Sequence, residues 1–437
     1  MAAWRGRDAK GMKTVWIGMM GAGNVGQGVW ALLESTRAEL LHRHSLDIRV
    51  KKILVRDASK KREKDIPPDL LTQNADEILK DKDISLVVEC MGGEQPATTL
   101  MVRALESGKI VVTANKMAVA LNWHLLDAAA RRGNAGLHFE ASVCGAIPII
   151  RTLNDSLQVN RIDLVMGIVN GTTNYILSKM SDEMRPFDEV LLEAQALGLA
   201  EPDPASDVEG FDAAYKLSVL ASLAFHARIP YKHIFREGIS RVQVTDIAAG
   251  KDLGYRLKLL AVGKRQGNTM DARVHPAFVP EKHPLASVQG AYNAVFLHGD
   301  ACGDMMLYGR GAGATPTAGA ILSDVIYALK HHEPLYPSFQ NTAELHADLS
   351  VTDNWQCGYY IRFSAANRPG VLGHIATKLG EHGVSISTLF QRKAESEHGV
   401  PIIVITHKAN EKDVHAAISA VDTNIAQVES SIRVEGI

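Results

Sequence analysis

Carboxylates and a lysine are concentrated in one stretch of the chain, between Glu201 and Lys216. Asp212 precedes Lys216 by four residues in a mostly apolar helical pattern, so the two side chains share a helix face. A lysine ammonium can donate a proton and stabilise negative charge that develops on an oxygen, which suits acid–base chemistry. The alternative is an exposed ion pair with the lysine stem lying along apolar surface, and the spacing alone does not separate the two.

A second lysine follows a predicted strand. Lys116 ends the segment Val112-Thr113-Ala114-Asn115-Lys116, at the carboxyl end of that strand. Open α/β sheets bind their ligands at this edge. Lys116 is therefore a candidate site residue, and both Lys116 and Thr113 are candidate cofactor contacts.

A glycine-rich loop follows the first apolar strand, at residues 14–19. The loop Gly21-Ala22-Gly23-Asn24-Val25-Gly26 has the Gly-x-Gly-x-x-Gly spacing and precedes a helical pattern. Glycines permit a tight turn and close backbone approach, and the amides at the helix N-terminus bind a pyrophosphate. The context predicts a nicotinamide-dinucleotide-binding Rossmann domain, with an unliganded glycine turn as the alternative.

The end of the second predicted strand bears on the choice of cofactor. The strand is followed by Arg56 and Asp57 and then by the basic residues Lys60, Lys61 and Arg62. An acid at this place accepts the ribose hydroxyls of NAD, whereas arginine holds the 2′-phosphate of NADP. The pattern favours NADP and leaves NAD open, and the basic run is equally typical of a solvated turn.

The order of the elements predicts the fold class and the domains. Short apolar runs alternate with helical patterns up to residue 140, which predicts an α/β, doubly wound parallel sheet. From about residue 356 the order is strand, helix, strand, strand, helix, strand, a βαββαβ module. The predicted domains are a Rossmann domain over 13–140 completed by about 308–335, an α+β substrate domain over 141–307, a linker over 336–355 and a C-terminal module over 356–437.

Length and composition exclude several classes of protein. The 437 residues suit two or three domains, and 47 Lys plus Arg against 49 Asp plus Glu give no basic surface for nucleic acid or a membrane. The four cysteines are widely spaced without a Cys-x-x-Cys pair, which argues against a zinc site or a disulfide framework. No apolar run has the length of a signal peptide core or a membrane span. We expect a cytoplasmic protein that acts on a small molecule.

Several segments, in order along nearly the whole chain, resemble the homoserine dehydrogenase family. They are residues 21–28, 113–120, 140–148, 167–176, 201–216 and 309–316. The resemblance implies reversible NAD(P)H-dependent reduction of L-aspartate 4-semialdehyde to L-homoserine, on the path to threonine, methionine and isoleucine. It also implies a homodimer or homotetramer, with the domain over 141–307 taking part in dimerisation.

The resemblance assigns roles to the residues of the site. Lys216 and Lys116 flank the reacting oxygen, and one or both act as acid in reduction and base in oxidation. Asp212 orients Lys216. The implied substrate-binding residues are Glu201, Asp207, Asp212, Gly171 and Thr172.

The resemblance further implies a monovalent cation, sodium or potassium. Its ligands would be the backbone carbonyls of Glu140, Val143, Gly145 and Ile147, although a Gly-Ala-Ile-Pro turn needs no ion. Gly311, in the second glycine-rich stretch, is implied to approach the cofactor. One residue departs from the family pattern: Leu199 stands where the family often has tyrosine, so a hydroxyl contact is missing.

The C-terminal module resembles an ACT domain, a regulatory fold that binds amino acids. Its turn Asn367-Arg368-Pro369-Gly370 precedes an apolar helix, and amides at a helix N-terminus suit a carboxylate. We therefore predict threonine as a feedback ligand, with Asn367, Arg368 and Gly370 as regulatory residues. The alternative is a module that only dimerises.

Two other functions compete with this interpretation. A phosphorylating semialdehyde dehydrogenase would use a cysteine nucleophile, for which Cys144 is the candidate, but no histidine motif accompanies it. A non-catalytic, cofactor-bound amino-acid sensor would use the first and last modules and leave Lys116 and Lys216 unexplained.

Overall fold

A computed structural model describes residues 13–331, 345–391 and 399–436. They form two compact units. Unit 1 contains residues 13–165, 214–234, 293–331 and 345–348, and unit 2 contains residues 166–213, 235–292 and the described residues from 349 onward. The predicted linker lies in part outside the described residues, and the predicted domain limits stay a prediction. No helix in the described ranges has the length and apolar character needed to span a bilayer.

The elements are numbered in chain order. The strands are β1 (Lys13–Met20), β2 (Leu46–Leu54), β3 (Leu71–Thr72), β4 (Ile84–Glu89), β5 (Ile110–Thr113), β6 (Leu137–His138), β7 (Ile162–Ile168), β8 (Phe235–Arg236), β9 (Tyr255–Gln266), β10 (Thr269–Pro280), β11 (Tyr292–Gly299), β12 (Gly303–Arg310), β13 (Ser350–Val351), β14 (Gln356–Ala365), β15 (Ile386–Gln391), β16 (Val400–Thr406), β17 (Ala409–Asn410) and β18 (Ala426–Val434). The helices are α1 (Asn24–His44), α2 (Asp76–Leu79), α3 (Ala97–Glu106), α4 (Lys116–Gly133), α5 (Ile149–Arg151), α6 (Gly171–Glu183), α7 (Phe187–Ala196), α8 (Ala205–Val208), α9 (Phe211–Ala224), α10 (Val244–Asp252), α11 (Ala314–Lys330), α12 (Val371–Glu381) and α13 (Glu411–Ser419).

Unit 1 contains a six-stranded sheet in the order β3-β2-β1-β4-β5-β6, and every pair in it is parallel. This is the strand order of a Rossmann fold, so the predicted fold class is confirmed. Consecutive residues Leu86, Val87 and Val88 are fully buried, as in a strand covered on both faces. Strand β3 was not predicted from the sequence, because its two residues are too few to form a pattern.

Unit 2 contains a sheet in which β9 and β10 pair antiparallel over their whole length. The order continues through β18, β14, β16 and β15, so the C-terminal module extends the sheet of β9 and β10. The parallel pairing of Arg433 and Val434 on β18 with Ala277 and Phe278 on β10 makes this join. The βαββαβ order is confirmed.

Helix α10 packs closely on β10, and this contact gives a stability prediction. A Cβ at Gly250 would stand 2.1 Å from Cε1 of Phe278, so Gly250→Ala overpacks the contact. We expect a loss of about 1–3 kcal/mol in the free energy of unfolding, measured by urea denaturation.

The matched control for this prediction is Gly373→Ala on α12. A Cβ there would meet no described heavy atom within 4 Å, and the residue is exposed. Alanine should stabilise that helix by about 0.8–1 kcal/mol. Equal effects of the two substitutions would contradict the packing assigned to Gly250.

Candidate active site

The predicted phosphate-binding loop of unit 1 is a tight turn between β1 and α1. Gly21 has a φ of +107°, and a Cβ there would stand 2.8 Å from the carbonyl oxygen of Cys90. A Cβ at Gly26 would stand 2.3 Å from the carbonyl oxygen of Gly21. Only glycine fits both places, which lets the start of α1 approach the end of β1.

The outer side of the same loop is open. A Cβ at Gly23 would meet no heavy atom of the described chain within 4 Å, and Gly23 is the N-cap of α1. Because the cap residue has no side chain, it does not cover the amides of the first turn. The loop residues Gly21, Ala22, Gly23, Asn24, Val25 and Gly26 therefore fit the pyrophosphate of a dinucleotide.

A buried carboxylate holds the edge of the sheet next to this loop, and it was not among the predicted site residues. Glu89 ends β4, and its carboxylate accepts hydrogen bonds from the Thr113 hydroxyl at 2.5 Å and the Met91 amide at 2.7 Å. The pKa of Glu89 is raised, because the effect of burial exceeds the opposing effect of these hydrogen bonds. Thr113 is fully buried, so its hydroxyl holds the neighbouring strand end in place. An acid at the end of an apolar strand is a weak signal of this role in the sequence.

Lys116 is the first residue of α4 and lies immediately beyond the end of β5. The Asn115 side chain caps this helix by accepting from the Ala118 amide at 3.0 Å, and it donates to the carbonyl of Gly93 at 2.7 Å. The backbone amide of Asn115 donates to the Thr113 hydroxyl at 2.9 Å. These bonds hold the backbone at half-buried Lys116 at the carboxyl edge of the sheet.

Lys216 lies on α9 with only 7% of its surface exposed. Arg228 follows this helix and donates to the Ser218 hydroxyl at 3.0 Å and, from its other terminal nitrogen, to the carbonyl of Ala120 on α4. Its guanidinium also lies 5.9 Å from the ring centre of Trp123 on α4. Arg228 therefore ties the helix that carries Lys216 to the helix that carries Lys116. No local pattern in the sequence reveals this role, because the two partners are 108 residues apart.

In unit 2, two of the predicted substrate-binding carboxylates meet at one side chain. The amide nitrogen of Asn170 lies 2.7 Å from Oδ1 of Asp207 and 2.9 Å from Oδ2 of Asp212. Asp212 is 3% exposed and Asp207 is half-buried. Asn170 was not among the predicted site residues, although it directly precedes Gly171.

The other predicted substrate contacts also belong to unit 2. Gly171 and Thr172 begin α6, and the Thr172 hydroxyl donates to the carbonyl of Leu199 at 2.7 Å. Glu201 is exposed, and Gln195 donates to its backbone carbonyl at 3.1 Å. The lysines belong to unit 1 and these residues to unit 2.

The predicted cation ligands lie on one irregular segment of unit 1, which turns back at Cys144 and Gly145 with φ of 56° and 52°. The amide of Ala146 donates to the carbonyl of Arg310 at 3.1 Å, which ties this turn to the second glycine-rich stretch and Gly311. Side chains of His, Cys, Asp and Glu form no metal-binding group among the described residues. Any ion here would depend on backbone carbonyls, whose hard oxygens suit a hard cation.

A group of buried charges fixes the same segment. The Glu140 carboxylate accepts from the backbone amides of Ile150 and Arg151 at 2.8 and 2.9 Å, and Asp324 accepts from the Glu140 amide at 2.9 Å and the Arg151 guanidinium at 3.1 Å. Burial and the charge of Asp324 raise the pKa of Glu140 to about 7. Burial likewise raises the pKa of Asp324 to about 6. A cavity of about 680 Å³, lined in part by Glu140, Arg151 and Arg310, borders this group and the start of α11.

The predicted regulatory turn lies on the surface of the C-terminal module. Asn367, Arg368 and Gly370 are exposed, and Gly370 caps α12 with a φ of 92°. The cap is again a glycine, so the amides of the first helical turn are not covered by a cap side chain.

The Glu140 group gives a pH prediction. Because the pKa values of Glu140 and Asp324 are raised, the folded protein binds more protons than the unfolded chain between about pH 4.5 and 7. This group therefore stabilises the fold at low pH and loses that contribution as the pH rises to 7. The substitution Glu140→Gln removes one titrating carboxyl group. The unfolding free energy of this variant, measured by urea denaturation, should therefore fall less steeply with rising pH than that of the wild type.

The control for the pH prediction is Glu281→Gln. Glu281 pairs with Arg256 at the surface, at 2.9 Å, and its side chain is 46% exposed. This variant should follow the wild-type pH curve. An unchanged slope in Glu140→Gln would show that Glu140 does not titrate in this range.

Family models match three successive parts of the chain. The family model for the homoserine dehydrogenase NAD-binding domain matches residues 21–140, the homoserine dehydrogenase model matches 148–326 and an ACT domain model matches 359–425. A homoserine dehydrogenase of Bacillus subtilis is 37% identical over 435 residues, covering 97% of this chain and 99% of the relative.

Solved structures give the same result. A homoserine dehydrogenase from Thiobacillus denitrificans has a TM-score of 0.88 at 38% identity and covers 97% of this chain and 99% of its own. A hyperthermophilic archaeal homoserine dehydrogenase in complex with NADPH has a TM-score of 0.62 at 26% identity, covering 73% and 99%.

These matches decide between the functions that the sequence left open. They do not support a phosphorylating semialdehyde dehydrogenase, and Cys144 is fully buried. They do not support a non-catalytic sensor either, since the homoserine dehydrogenase model matches residues 148–326 and the solved homoserine dehydrogenase covers 97% of the chain. The chain belongs to the homoserine dehydrogenase family of NAD(P)-dependent oxidoreductases and ends in an ACT domain.

Proposed function

We propose that Lys216 and Lys116 serve as the acid–base pair of the homoserine dehydrogenase reaction, which interconverts L-aspartate 4-semialdehyde and L-homoserine. The nicotinamide, when bound, supplies the hydride that reduces the aldehyde carbon. Lysine ammonium groups then meet the negative charge that develops on the aldehyde oxygen and donate a proton to it. In the direction of oxidation the same amines accept the proton.

The burial of Lys216 carries this proposal. A lysine that serves only as a solvated surface charge keeps its ammonium exposed, whereas Lys216 is 7% exposed. Its helix is joined to the helix of Lys116 through Arg228, which bonds to both. These two hydrogen bonds of Arg228 fix the spacing of α9 and α4. A fixed spacing of the helices that carry the two lysines favours proton transfer at a defined atom.

The acids of unit 2 supply the complementary part of the proposal. The substrate carries an ammonium group, and Asp207 and Asp212 converge on one point, which suits a cation. Gly171 and Thr172 would line the pocket beside them. Glu201 would act from the exposed side of the same region, and its role depends on the family resemblance.

We also propose a preference for NADP over NAD. Arg56 is exposed just beyond the end of β2. The neighbouring Asp57 carboxylate accepts from the backbone and hydroxyl of Ser59 at 2.8 and 2.6 Å, and these bonds lower its pKa. The acid is thus engaged in its own turn, while the arginine remains accessible to a 2′-phosphate.

A monovalent cation on the carbonyls of Glu140, Val143, Gly145 and Ile147 would support the segment that precedes α5. The backbone reversal at Cys144 and Gly145 and the fixed Glu140 side chain favour a preformed loop. Gly311 would lie beside the cofactor. A homodimer or homotetramer remains a prediction from the family.

Threonine is the proposed ligand of the ACT domain, with its carboxylate at the turn of Asn367, Arg368 and Gly370. A route of contacts within unit 2 supports regulation. Arg433 on β18 pairs with Glu411 at 2.5 Å and with Glu237 at 2.6 Å. Two residues beyond Glu237, the Ile239 amide donates at 2.8 Å to the carbonyl of Val208, next to Asp207.

The first test of this proposal is Lys216→Met. Methionine retains the bulk of the stem without the ammonium, so kcat should fall about 10²- to 10⁴-fold while binding of the cofactor is retained. Turnover is measured with NADPH and with NADH, and NADPH should give the higher kcat/KM in the wild type.

Lys109→Met is the matched control in unit 1. Lys109 is also buried, but its ammonium donates to the carbonyls of Asp81 and Ile84 at 2.6 Å and has a structural role. This variant should lose thermal stability and retain kcat. Full turnover in Lys216→Met would remove that residue from its proposed role.

The second test concerns threonine. Threonine should lower the activity of the full chain, and Glu237→Gln should weaken that inhibition because it breaks the pair with Arg433. Glu281→Gln, which breaks an exposed pair with Arg256, should be inhibited like the wild type. A wild type insensitive to threonine would reject the ligand, whereas equal inhibition of all three proteins would reject only the route through Glu237.

A further inference from the structure

We propose that Asn170 is a positioning residue that holds Asp207 and Asp212 side by side for the ammonium group of the substrate. The inference rests on the substrate-binding role proposed above for the two acids. Asn170 itself does not need to touch the substrate, since it acts through the carboxylates.

The amide nitrogen and the amide oxygen of Asn170 bind different partners. A primary amide has two N–H donors, and here one nitrogen lies within hydrogen-bond distance of both carboxylates, at 2.7 Å from Asp207 and 2.9 Å from Asp212. Its oxygen accepts from the amide of Thr173 at 2.8 Å and from the Thr173 hydroxyl at 2.9 Å. Every polar atom of the side chain is used.

The oxygen contacts also fix the orientation of the amide. Asn170 is the N-cap of α6, with an extended backbone at φ −126° and ψ 116°. Its oxygen must face the Thr173 amide, because a flipped amide would direct a donor at a donor and an acceptor at two carboxylates. The nitrogen therefore points toward the two acids, and the start of α6 determines where they meet.

The charge of the bridging group matters for function. Two carboxylates held in a shared, mostly buried site repel one another when both are ionised. The amide of Asn170 is neutral and donates to both acids, so it holds them together without adding a positive charge between them.

The test uses Asn170→Ser and Asn170→Gly. Both residues are accepted at a helix N-cap, so α6 keeps its start while the bridging amide is lost, and glycine provides a second variant should serine bind the acids through its hydroxyl. The KM for homoserine should rise on the order of tenfold or more, since hydrogen bonds to charged groups are lost. The kcat and the dissociation constant of NADP should change much less.

Asn174→Ser is the matched control on the same helix. Asn174 is also buried, but its amide donates to the backbone carbonyls of Val288, Gly290 and Tyr292, at 3.2, 2.8 and 3.2 Å. This variant should lower the melting temperature and leave the KM for homoserine unchanged. A purely structural role of Asn170 would make its variants behave in the same way and would overturn the inference.

Asp207→Asn and Asp212→Asn, assayed in parallel, separate the two levels of the proposal. If they raise the KM for homoserine and the Asn170 variants do not, the positioning role is overturned and the substrate-binding role stands. If neither aspartate variant changes the KM, the substrate-binding role is rejected, and the inference about Asn170 fails with it. A raised KM in all four variants supports both.

Discussion

Parallel pairing of β1, β4 and β5 is the constraint on which the cofactor half of the protein depends. Its register places Met20 beside Glu89 and Glu89 beside Thr113, so the three strands end at one level. The backbone continues this alignment, since the Cys90 amide donates to Met20 and the Ala114 amide donates to Glu89. The residues that follow each strand, including the glycine loop and Lys116, therefore emerge at the same edge. No local signal in any one of these segments could bring them together.

The buried charges show two ways of holding carboxylates near one another. In unit 1 the acids Glu140 and Asp324 surround Arg151, and burial raises the pKa of both, with the charge of Asp324 adding to the rise at Glu140. In unit 2 the acids Asp207 and Asp212 share a neutral amide instead. The first arrangement fixes a backbone segment, and the second brings two carboxylates to one amide nitrogen.

The ACT domain is joined to the rest of unit 2 by backbone pairing and by buried ion pairs. Strand β18 pairs with β10, and Arg273 on β10 contacts Glu435 just beyond β18. Arg433 and Glu411 form a second pair, in which the nearby arginine helps to lower the pKa of Glu411 to about 2. Removing one member of such a pair leaves an uncompensated buried charge, so these contacts define a specific join. They also bring Arg433 within reach of Glu237, two residues before Ile239, whose amide donates to the carbonyl of Val208 on α8.

The sequence by itself determined the elements and the chemistry of the cofactor loop. Apolar runs such as residues 86–88 predict covered strands, and the spacing of Gly21, Gly23 and Gly26 predicts the tight turn, because backbone sterics act over a few residues. The same local rules predicted the βαββαβ order. A strand end and a helical pattern likewise make Lys116 and Lys216 candidate site residues.

Only the tertiary structure decided which partners these residues have. Glu89 meets Thr113 across 24 positions, Asn170 meets Asp212 across 42, and Arg228 reaches Ala120 across 108. An asparagine before a helix is typical of an N-cap, and the amide oxygen of Asn170 does have that role. Its amide nitrogen instead donates to acids far along the chain. Burial and hydrogen bonding between distant segments depend on how the whole chain packs, so no local pattern encodes them.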